Sequence, residues 1–410
     1  MQYISLFGYG KTTKAIAKYQ KKLDKEFIFF EDIGKEYIDK DGFLHKPFEK
    51  FNPEFSELEI PSPGIPPHHR IIKKAKNLIS EYDFFLHHQL STINHQPFNI
   101  WISGTNGKTT TTQMVTHLLK EKGAVSGGNI GSPLGELDKN AKIWVLETSS
   151  FTLHYTKYAK PNLYLLLPIS EDHTSWHGSF KEYEEAKLKP LKSLKEGEVC
   201  IIPEDYENYD TDGYKITYKN TKDLADFFEI DLKKINFEEP FLFDAVMALS
   251  VTKIVFNKID YDLINTFKLD PHKLEEFLDK KGRLWVDDSK ATNIDASIAA
   301  INRYKDKKIH LILGGDAKGA SLEPLFKYIK DLNITVYAIG KEEKNIEDLS
   351  KIYGIKYTGC QNLENAVKSI DKNLKNGEVA LLSPACASLD QFSSYKERGE
   401  KFKEFVLRLV

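Results

Sequence analysis

The chain has 410 residues, of which 41% are hydrophobic and 29% charged, and its 58 Lys and Arg against 60 Asp and Glu give a formal net charge of −2. This composition excludes a disordered or collagen-like chain, the charge balance gives no footprint for nucleic acid, and the three distant cysteines exclude a disulfide scaffold. No uncharged apolar run approaches the ~20 residues of a membrane span. We therefore expect no membrane partner, and together with the charge balance we expect a soluble, cytoplasmic protein with no nucleic-acid partner. We also expect a monomer.

Short apolar runs recur along the chain, each followed by a turn and a helical pattern. The runs are continuous rather than alternating, which is typical of parallel strands that are covered on both faces. Strands that alternate with helices indicate an α/β protein built on parallel sheets. The predicted strands are Tyr3–Phe7, Phe27–Phe30, Asn99–Ile102, Ile143–Leu146, Leu163–Leu167, Leu284–Val286, Ile309–Leu313, Ile334–Ile339 and Val379–Leu382.

Turn-rich and polar segments divide these elements into three groups. A proline-rich patch at 61–67 is followed by a polar stretch from His87 to Pro97. A second break falls near 269–272, after a helical pattern over Phe243–Val255, and residues 203–240 carry little secondary-structure signal. We therefore predict three domains, at 1–93, 94–268 and 269–410.

The strongest local motif is the segment from Ser103 to Thr110, with the sequence SGTNGKTT. It follows a predicted strand and opens a helix, and in that arrangement backbone N–H groups and a helix N-terminus bind phosphate. Lys108 is placed to reach the β- and γ-phosphates of a nucleotide, and Thr109 to hold Mg²⁺. The strict phosphate-loop spacing fails, because its first glycine would fall at Ile102. The segment is therefore a shorter variant, or else a glycine-rich turn with a solvated lysine.

Ionisable residues follow the next two predicted strands. Glu147 ends the first, and Glu171-Asp172-His173 follow the second. Because parallel sheets bind ligands at the carboxyl ends of their strands, Glu147 is placed to serve a metal near Lys108, or else is a helix-capping or solvated acid. A neutral imidazole at His173 suits a metal ion or a phosphate oxygen, although a single histidine is more often structural. The neighbouring His177 is expected at the surface.

Taken together, the motifs resemble the Mur ligases, which are ATP-dependent amide-bond ligases of peptidoglycan synthesis. The matching strings of the middle domain are Gly104–Thr110, Gly128–Gly131, Glu147–Phe151 and Glu171–His173. Those of the last domain are Asp288–Asn293, Gly314–Lys318 and Ser383–Phe392. The last string is similar to the D-glutamate-adding branch of the family. The resemblance implies a Rossmann-like first domain, a central ATPase domain of the phosphate-loop type with a parallel sheet, and a Rossmann-like last domain.

The resemblance also implies a reaction and its cofactors. The carboxylate of UDP-N-acetylmuramoyl-L-alanine would take the γ-phosphate of ATP to form an acyl phosphate, which D-glutamate would convert to an amide. Two Mg²⁺ ions are implied, one on Thr109 and Glu147 and the other on His173 and a carbamylated Lys187. Otherwise Lys187 is one solvated lysine of a Lys/Glu-rich helix. The implied catalytic residues are Lys108, Glu147, His173 and Lys187, and the implied ATP-binding residues are Gly104, Thr105, Asn106, Gly107, Lys108, Thr109, Thr110, Lys273, Asp288 and Lys290.

The remaining substrate contacts are implied in the same way. The nucleotide sugar would contact Gly10, Lys11, Thr12, Asp32, Ser62 and Gly64 in the first domain, and Asn129 and Ser149 in the second. D-Glutamate would lie among Thr292, Lys318, Ser388, Leu389 and Tyr395. Without the family context, Gly8-x-Gly10 is a weak dinucleotide signal, because Thr13 replaces the third glycine of that fingerprint.

Some positions depart from the family pattern. Pro168 and Thr152 stand where the family usually has Asn and Gln, and Pro240–Asp244 stands where it has an H-N-x-x-N string that helps hold the base. Lys273 follows His272 where the family commonly has arginine, so the charge is kept and the bidentate fork is lost. The adenine contacts therefore stay unassigned.

Two other functions remain open from the sequence. One is a related ligase that adds L-alanine, diaminopimelate or lysine, or a folate polyglutamate synthase, and Ser383–Phe392 argues against it. The other is a phosphate-loop ATPase or switch that forms no bond. A switch needs only Lys108, Thr109 and Glu147, and would leave the Asp288–Asn293 and Lys318 motifs unexplained. An assay with different amino acids separates the first alternative, and ATP hydrolysis that ignores D-glutamate separates the second.

Overall fold

The computed structural model describes residues 2–20, 26–89 and 96–409. The chain forms two compact units, Met1–Phe267 and Lys268–Val410. The first unit contains two sheets and the second contains one. The predicted domain boundary at 93/94 lies outside the described residues, and the three-domain division stays a prediction.

The first sheet has five strands in the order β3-β4-β2-β1-β5, of which β3 and β4 pair antiparallel and the others parallel. Their bounds are β1 Tyr3–Phe7, β2 Phe27–Glu31, β3 Tyr37–Ile38, β4 Leu44–Pro47 and β5 Ser56–Pro61. Within the described residues, the α-helices that accompany them are α1 Lys11–Gln20 and α2 Arg70–Lys74. The glycine-containing turn between β1 and α1 lies at the carboxyl end of β1, where a parallel sheet binds its ligands.

The second sheet has six strands, all parallel, in the order β11-β10-β9-β6-β8-β7. Their bounds are β6 Phe98–Ser103, β7 Ala124–Gly128, β8 Ile143–Glu147, β9 Leu163–Leu166, β10 Val199–Pro203 and β11 Tyr214–Tyr218. The helices are α3 Lys108–Leu119, α4 Ser150–Tyr155, α5 Thr174–His177, α6 Phe180–Leu188, α7 Thr221–Phe228, α8 Phe241–Phe256 and α9 Tyr261–Asn265. Ile100, Val145 and Leu165 are fully buried, as expected for central strands covered on both faces.

The third sheet also has six strands, in the order β12-β13-β17-β14-β15-β16. Only its β12–β13 pair is antiparallel among the described strands. The bounds are β12 Glu275–Leu278, β13 Leu284–Asp287, β14 Ile309–Gly314, β15 Ile334–Ile339, β16 Lys356–Gln361 and β17 Val379–Leu382. The helices are α10 Ile294–Tyr304, α11 Glu323–Ile329, α12 Glu343–Tyr353, α13 Leu363–Asp371 and α14 Tyr395–Leu407.

The predicted α/β architecture with parallel sheets is confirmed, and every predicted apolar run corresponds to a strand. Several strands were not predicted, among them Ser56–Pro61, Ala124–Gly128 and Lys356–Gln361, because polar residues or glycines interrupt them. Residues 203–240, which carry little signal, contain β11 and α7. Across the described residues, the helices include none with the length and apolar character that crossing a membrane requires.

Candidate functional site

The segment between β6 and α3 forms a tight loop that depends on two glycines. Gly104 and Gly107 have φ angles of 140° and 80°, a region that side chains disfavour. A Cβ on Gly104 would lie 2.5 Å from the Cβ of Leu167, and one on Gly107 would lie 2.7 Å from Oδ1 of Asp244. Since α3 begins at Lys108, the amides of its first turn border this loop. These features agree with the predicted phosphate-binding turn, and we refer to Ser103–Thr110 as the phosphate loop.

Lys108 extends over the loop that precedes it. Its Nζ donates to the carbonyl oxygens of Gly104, at 2.9 Å, and Thr105, at 2.7 Å. The hydroxyl of Thr105 lies 2.9 Å from the hydroxyl of Tyr183 and donates to the carbonyl of Ser170 at 3.0 Å. The loop is thus fixed to α6 and to the segment after β9. The ammonium of Lys108 therefore lies at the candidate phosphate site.

Thr109, Asn129 and Glu147 come together at the carboxyl edge of the second sheet. Thr109 Oγ1 donates to Glu147 Oε2 at 2.8 Å, and Asn129 Nδ2 donates to Glu147 Oε1 at 2.6 Å. The backbone N–H of Asn129 also donates to the Glu147 carbonyl, at 2.8 Å. Glu147 is only 3% exposed, which excludes the reading of a solvated acid. A hydroxyl and a carboxylate in contact are oxygen donors of the kind that Mg²⁺ prefers.

Lys187 is buried, which excludes the reading of a solvated lysine. Its exposed fraction is 1%, and its Nζ donates to the Gly104 carbonyl at 2.7 Å and lies 4.7 Å from the centre of the Tyr183 ring. Burial, and next the charge of Lys108, lower the pKa of Lys187 well below its ordinary value. The amine therefore borders the phosphate loop in an environment that favours its neutral form.

His173 lies beside the same tyrosine. It precedes α5 with a φ of 52°, and its ring centroid is 6.2 Å from that of Tyr183 and 4.8 Å from that of Phe151. Its side chain is 46% exposed and its Nε2 is 3.6 Å from a carboxylate oxygen of Asp172. The Tyr183 ring thus lies beside the ring of His173 and the amine of Lys187, the two residues that are predicted to hold the second metal ion. Its importance was missed in the sequence, where it is one aromatic residue of a helix.

The expectation that His177 lies at the surface is wrong. The side chain is buried, and its Nε2 is 3.0 Å from the hydroxyl of Ser150. Burial lowers the pKa of His177 to about 3, with the charges of His154 and His173 adding to the effect. The reason is the short helix α5, which turns this ring inward against Phe151. A helix of four residues gives no periodicity from which its buried face can be read.

The turn after β1 is braced by the threonine that replaces the third glycine. Thr13 Oγ1 donates to the Gly8 carbonyl at 2.7 Å and accepts from the Gly10 N–H at 3.1 Å. A Cβ on Gly10 would lie 2.6 Å from Ser62 Oγ, so the turn packs directly against the predicted substrate segment after β5. The Lys11 ammonium donates to the Gly131 carbonyl of the second sheet's G-N-I-G string. Thr12 is part-exposed, and Asp32 and Gly64 are exposed near the ends of β2 and β5.

Ser149 and Asp244 each have a structural partner. Ser149 caps α4, since its Oγ accepts from the Thr152 N–H at 3.1 Å. Asp244, in the string that departs from the family pattern, accepts a hydrogen bond of 2.8 Å from Thr111 Oγ1. This bond ties α8 to α3 directly behind the loop. Asp244 therefore supports the loop, whatever group contacts adenine.

In the second unit, Asp288 is a buried acid at the end of β13. It accepts from Ser383 Oγ at 2.8 Å and from the Leu274 N–H at 3.3 Å. Burial raises the pKa of Asp288 to about 8. Lys273 is also buried, and its Nζ is 3.1 Å from Oδ2 of Asp270. The Lys290 N–H donates to the His272 carbonyl at 3.1 Å, so these predicted ATP residues form one cluster.

The two strings that are expected to bind D-glutamate are joined through their backbones. Asp316 and Ala387 exchange N–H···O bonds of 2.9 Å, which places the loop of Lys318 beside Ser388. Lys318 is exposed with a φ of 52°, and its N–H donates to Asp316 Oδ1 at 2.8 Å. Ser388 is buried, and Leu389 is 65% exposed. The region therefore combines an exposed cation with buried polar groups.

Tyr395 and Thr292 complete the predicted set. The Lys290 Nζ lies 3.5 Å from the Tyr395 hydroxyl and 4.8 Å from the centre of its ring, so the structure joins Tyr395 to the ATP-side cluster. Thr292 is exposed. Arg398, which was missed, is buried and donates to the carbonyls of Ser289 and Cys386 at 2.9 and 3.1 Å. It ties the Asp288 string to the Ser388 string, and nothing in an amphipathic helix marks it in advance.

Two sequence families match the chain. One is the Mur ligase middle domain, over residues 102–244, and the other is the Mur ligase glutamate ligase domain, over residues 274–386. A Campylobacter jejuni protein named UDP-N-acetylmuramoylalanine–D-glutamate ligase is 54% identical over 410 residues, covering 99% of this chain and 100% of the relative. A Helicobacter pylori protein of the same name is 47% identical, covering 99% of each chain.

Solved structures of low sequence identity share the fold. MurF ligase from Thermotoga maritima, in complex with ADP, has a TM-score of 0.60 and 16% identity, with 98% of this chain and 97% of that chain covered. MurF from Acinetobacter baumannii has a TM-score of 0.63 and 14% identity, with 99% and 90% covered. At this identity the likeness concerns architecture alone.

Proposed function

The chain belongs to the Mur ligase family, and we propose that it joins D-glutamate to UDP-N-acetylmuramoyl-L-alanine, converting ATP to ADP and phosphate. The single observation that carries this proposal is the 54% identity, over 99% of the chain, to a protein named for that activity. The product is a peptidoglycan precursor. Because ATP and nucleotide sugars are cytoplasmic metabolites, we also propose a cytoplasmic location.

We propose three domains along the chain, at 1–93, 94–268 and 269–410. One sheet falls within each range, which supports the division into a Rossmann-like domain, a phosphate-loop ATPase domain and a second Rossmann-like domain. The first would bind the nucleotide sugar at the turn after β1, the second ATP, and the third D-glutamate together with part of ATP.

The first chemical step activates the substrate carboxylate. A carboxylate oxygen attacks the γ-phosphorus of ATP, the bond to the β-phosphate oxygen breaks, and an acyl phosphate and ADP result. Two anions must approach each other, so the chain has to offset negative charge. The amides of Gly104–Thr110 would hold the phosphates, and Lys108, already at the loop, would follow the transferred phosphoryl group.

Mg²⁺ fits the oxygen donors at the edge of the second sheet. Thr109 and Glu147 would hold one ion, since their oxygens lie 2.8 Å apart at that edge. A bound Mg²⁺ ion would neutralise part of the phosphate charge. His173 and a carbamylated Lys187 would hold a second, because both flank Tyr183 and Lys187 is buried. The carbamate forms when the neutral amine attacks CO₂ and releases a proton, and it supplies anionic oxygens.

The second chemical step forms the amide. The amine of D-glutamate attacks the acyl carbon, loses a proton, and the tetrahedral intermediate expels phosphate. Lys318 would pair with a carboxylate of D-glutamate, and Ser388 would add a hydroxyl beside it. Tyr395, which contacts Lys290 of the ATP-side cluster, would border the same amino acid from that side. The exposure of Lys318 and the backbone bridge that brings its loop beside Ser388 support this assignment.

The test is a ligation assay on the purified chain with an amino-acid panel. UDP-N-acetylmuramoyl-L-alanine, ATP and Mg²⁺ are incubated with D-glutamate, L-glutamate, D-aspartate, L-lysine or diaminopimelate. The products are identified and quantified by mass spectrometry. We expect the adduct with D-glutamate to dominate. Equal or greater addition of another amino acid would refute the proposed specificity.

A further inference from the structure

Two side chains of the 94–268 region hydrogen-bond to consecutive carbonyls of the segment after β5. Trp176 Nε1 donates to the Gly64 carbonyl at 3.3 Å, and the Tyr155 hydroxyl donates to the Ile65 carbonyl at 2.6 Å. We propose that Trp176 and Tyr155 are positioning residues for the nucleotide sugar, acting through the segment Ser62–Ile65. The inference rests on the proposed function, which places the nucleotide sugar at the turn after β1, and on the resemblance, which implies contacts to Ser62 and Gly64 in this segment.

The segment Ser62–Ile65 packs against the glycine turn after β1. A Cβ on Gly10 would lie 2.6 Å from Ser62 Oγ, and a Cβ on Gly8 would lie 3.3 Å from Cδ1 of Ile65. The Ile65 N–H donates to the Ser62 carbonyl at 3.0 Å, so the segment is itself a closed turn. With so little space between them, a displacement of the segment changes the room at the turn. The two hydrogen bonds from Trp176 and Tyr155 oppose that displacement.

Trp176 is held by ring contacts that fix the direction of its N–H. Its ring centroid is 4.5 Å from that of Phe151, 4.5 Å from that of His177 and 5.9 Å from that of Tyr155. It lies on α5, which begins directly after His173. The segment His173–Trp176 therefore holds a residue proposed for the metal and, three positions later, the residue that donates to the nucleotide-sugar segment. A shift of His173–Trp176 would therefore be felt both at the proposed metal site and at Ser62–Ile65.

Trp176 also provides a readout that needs no turnover. It is part-exposed, whereas the other three tryptophans, Trp101, Trp144 and Trp285, are fully buried. Indole emission changes with hydrogen bonding and with solvent contact. Binding of the nucleotide sugar is therefore expected to change the emission of Trp176 more than that of the buried tryptophans.

The experiment compares Trp176→Phe and Tyr155→Phe with wild type. Each variant keeps a ring and loses one donor to the segment. Loss of one neutral hydrogen bond is expected to raise the KM for UDP-N-acetylmuramoyl-L-alanine, and its calorimetric Kd without ATP or metal, by about three- to tenfold. The kcat and the KM for D-glutamate are expected to stay within about twofold of wild type. The substrate-induced emission change should disappear in Trp176→Phe.

Trp144→Phe is the matched control. It also removes one indole donor, but its partner is the Asp138 carbonyl, at 3.1 Å, outside the segment. It should bind the nucleotide sugar and change its emission as wild type does. Wild-type affinity in both Trp176→Phe and Tyr155→Phe would overturn the inference, and if Trp176→Phe does not fold, Tyr155→Phe alone decides. A wild-type enzyme that binds the nucleotide sugar but ligates no D-glutamate would contradict the proposed function instead.

Discussion

The Nζ of Lys187 lies 2.7 Å from the carbonyl oxygen of Gly104, so a buried amine of α6 touches the backbone of the phosphate loop. An ammonium at this depth is costly, and burial accordingly lowers the pKa of Lys187. A neutral amine is the form that reacts with CO₂. The surroundings of Lys187 therefore favour the form of the amine that the predicted carbamate requires.

Lys187→Ala is expected to be severely impaired and to be partly restored by acetate or formate. A small carboxylate can occupy the space of the lost carbamate and supply anionic oxygens. Initial rates are measured with and without the added anion. Lys181→Ala, which alters an exposed lysine of the same helix, serves as the control and should behave as wild type in both conditions. Wild-type turnover by Lys187→Ala would mean that Lys187 has no catalytic role.

Lys108→Ala should leave the fold intact and lower kcat by a factor of about 10²–10³, which is the usual loss when one catalytic electrostatic donor is removed. The loop amides still bind phosphate, but the charge that follows the phosphoryl group is gone. Steady-state kinetics measure kcat, and circular dichroism measures whether the fold is intact. Lys120→Ala, at an exposed position just beyond α3, is the control. A folded Lys108→Ala enzyme with near-normal turnover would contradict the assignment of the phosphate loop.

Glu81 is expected to make stability depend on pH. The carboxyl is buried and accepts from the Leu134 N–H at 2.8 Å, and burial raises its pKa from 4.5 to about 8. Between these values the unfolded chain loses this proton while the folded chain keeps it, so the contribution of Glu81 to stability falls as pH rises. Glu81→Gln should therefore melt higher than wild type at pH 8, with the difference vanishing near pH 4. A difference that is the same at both pH values would show that Glu81 does not titrate this way.

Lys318→Ala is expected to raise the KM for D-glutamate strongly while ATP and the nucleotide sugar still bind. A carboxylate that loses its cation binds far more weakly, because charge-assisted pairs are the strong ones. Kinetics in D-glutamate are compared with calorimetric binding of the nucleotide sugar. Lys330→Ala, an exposed lysine beyond α11, is the control. If Lys318→Ala weakened the nucleotide sugar and spared D-glutamate, the role of the last domain would be misassigned.

The residues of the candidate site that the sequence indicated are those that stand in short contiguous strings. Glycines between a predicted strand and a predicted helix indicate the loop around Lys108. The position of Glu147 at the end of a predicted strand indicates its place in the site. The structure brings Glu147 to Thr109 because both lie at the carboxyl edge of one parallel sheet. That edge follows from local pattern together with a general rule about parallel sheets.

The parts that the sequence did not predict depend on contacts between distant segments. Lys187 is buried because α6 packs against the loop. The sequence of that helix predicts a solvent-exposed face instead, because Lys and Glu residues surround Lys187. Arg398 bonds to backbone carbonyls more than ten residues away, which no periodicity encodes. The strand Ala124–Gly128 lacks an apolar run because its glycines give space to the turn that carries Asn129.

The most direct test of the account is phosphate release by the wild-type chain with ATP, Mg²⁺ and UDP-N-acetylmuramoyl-L-alanine, followed with and without D-glutamate. A ligase that forms an acyl phosphate turns over continuously only when the amine acceptor is present. We therefore predict phosphate release that depends on D-glutamate and matches the ligated product mole for mole. Equal phosphate release in the absence of D-glutamate would contradict the account and would favour an ATPase or switch that forms no bond.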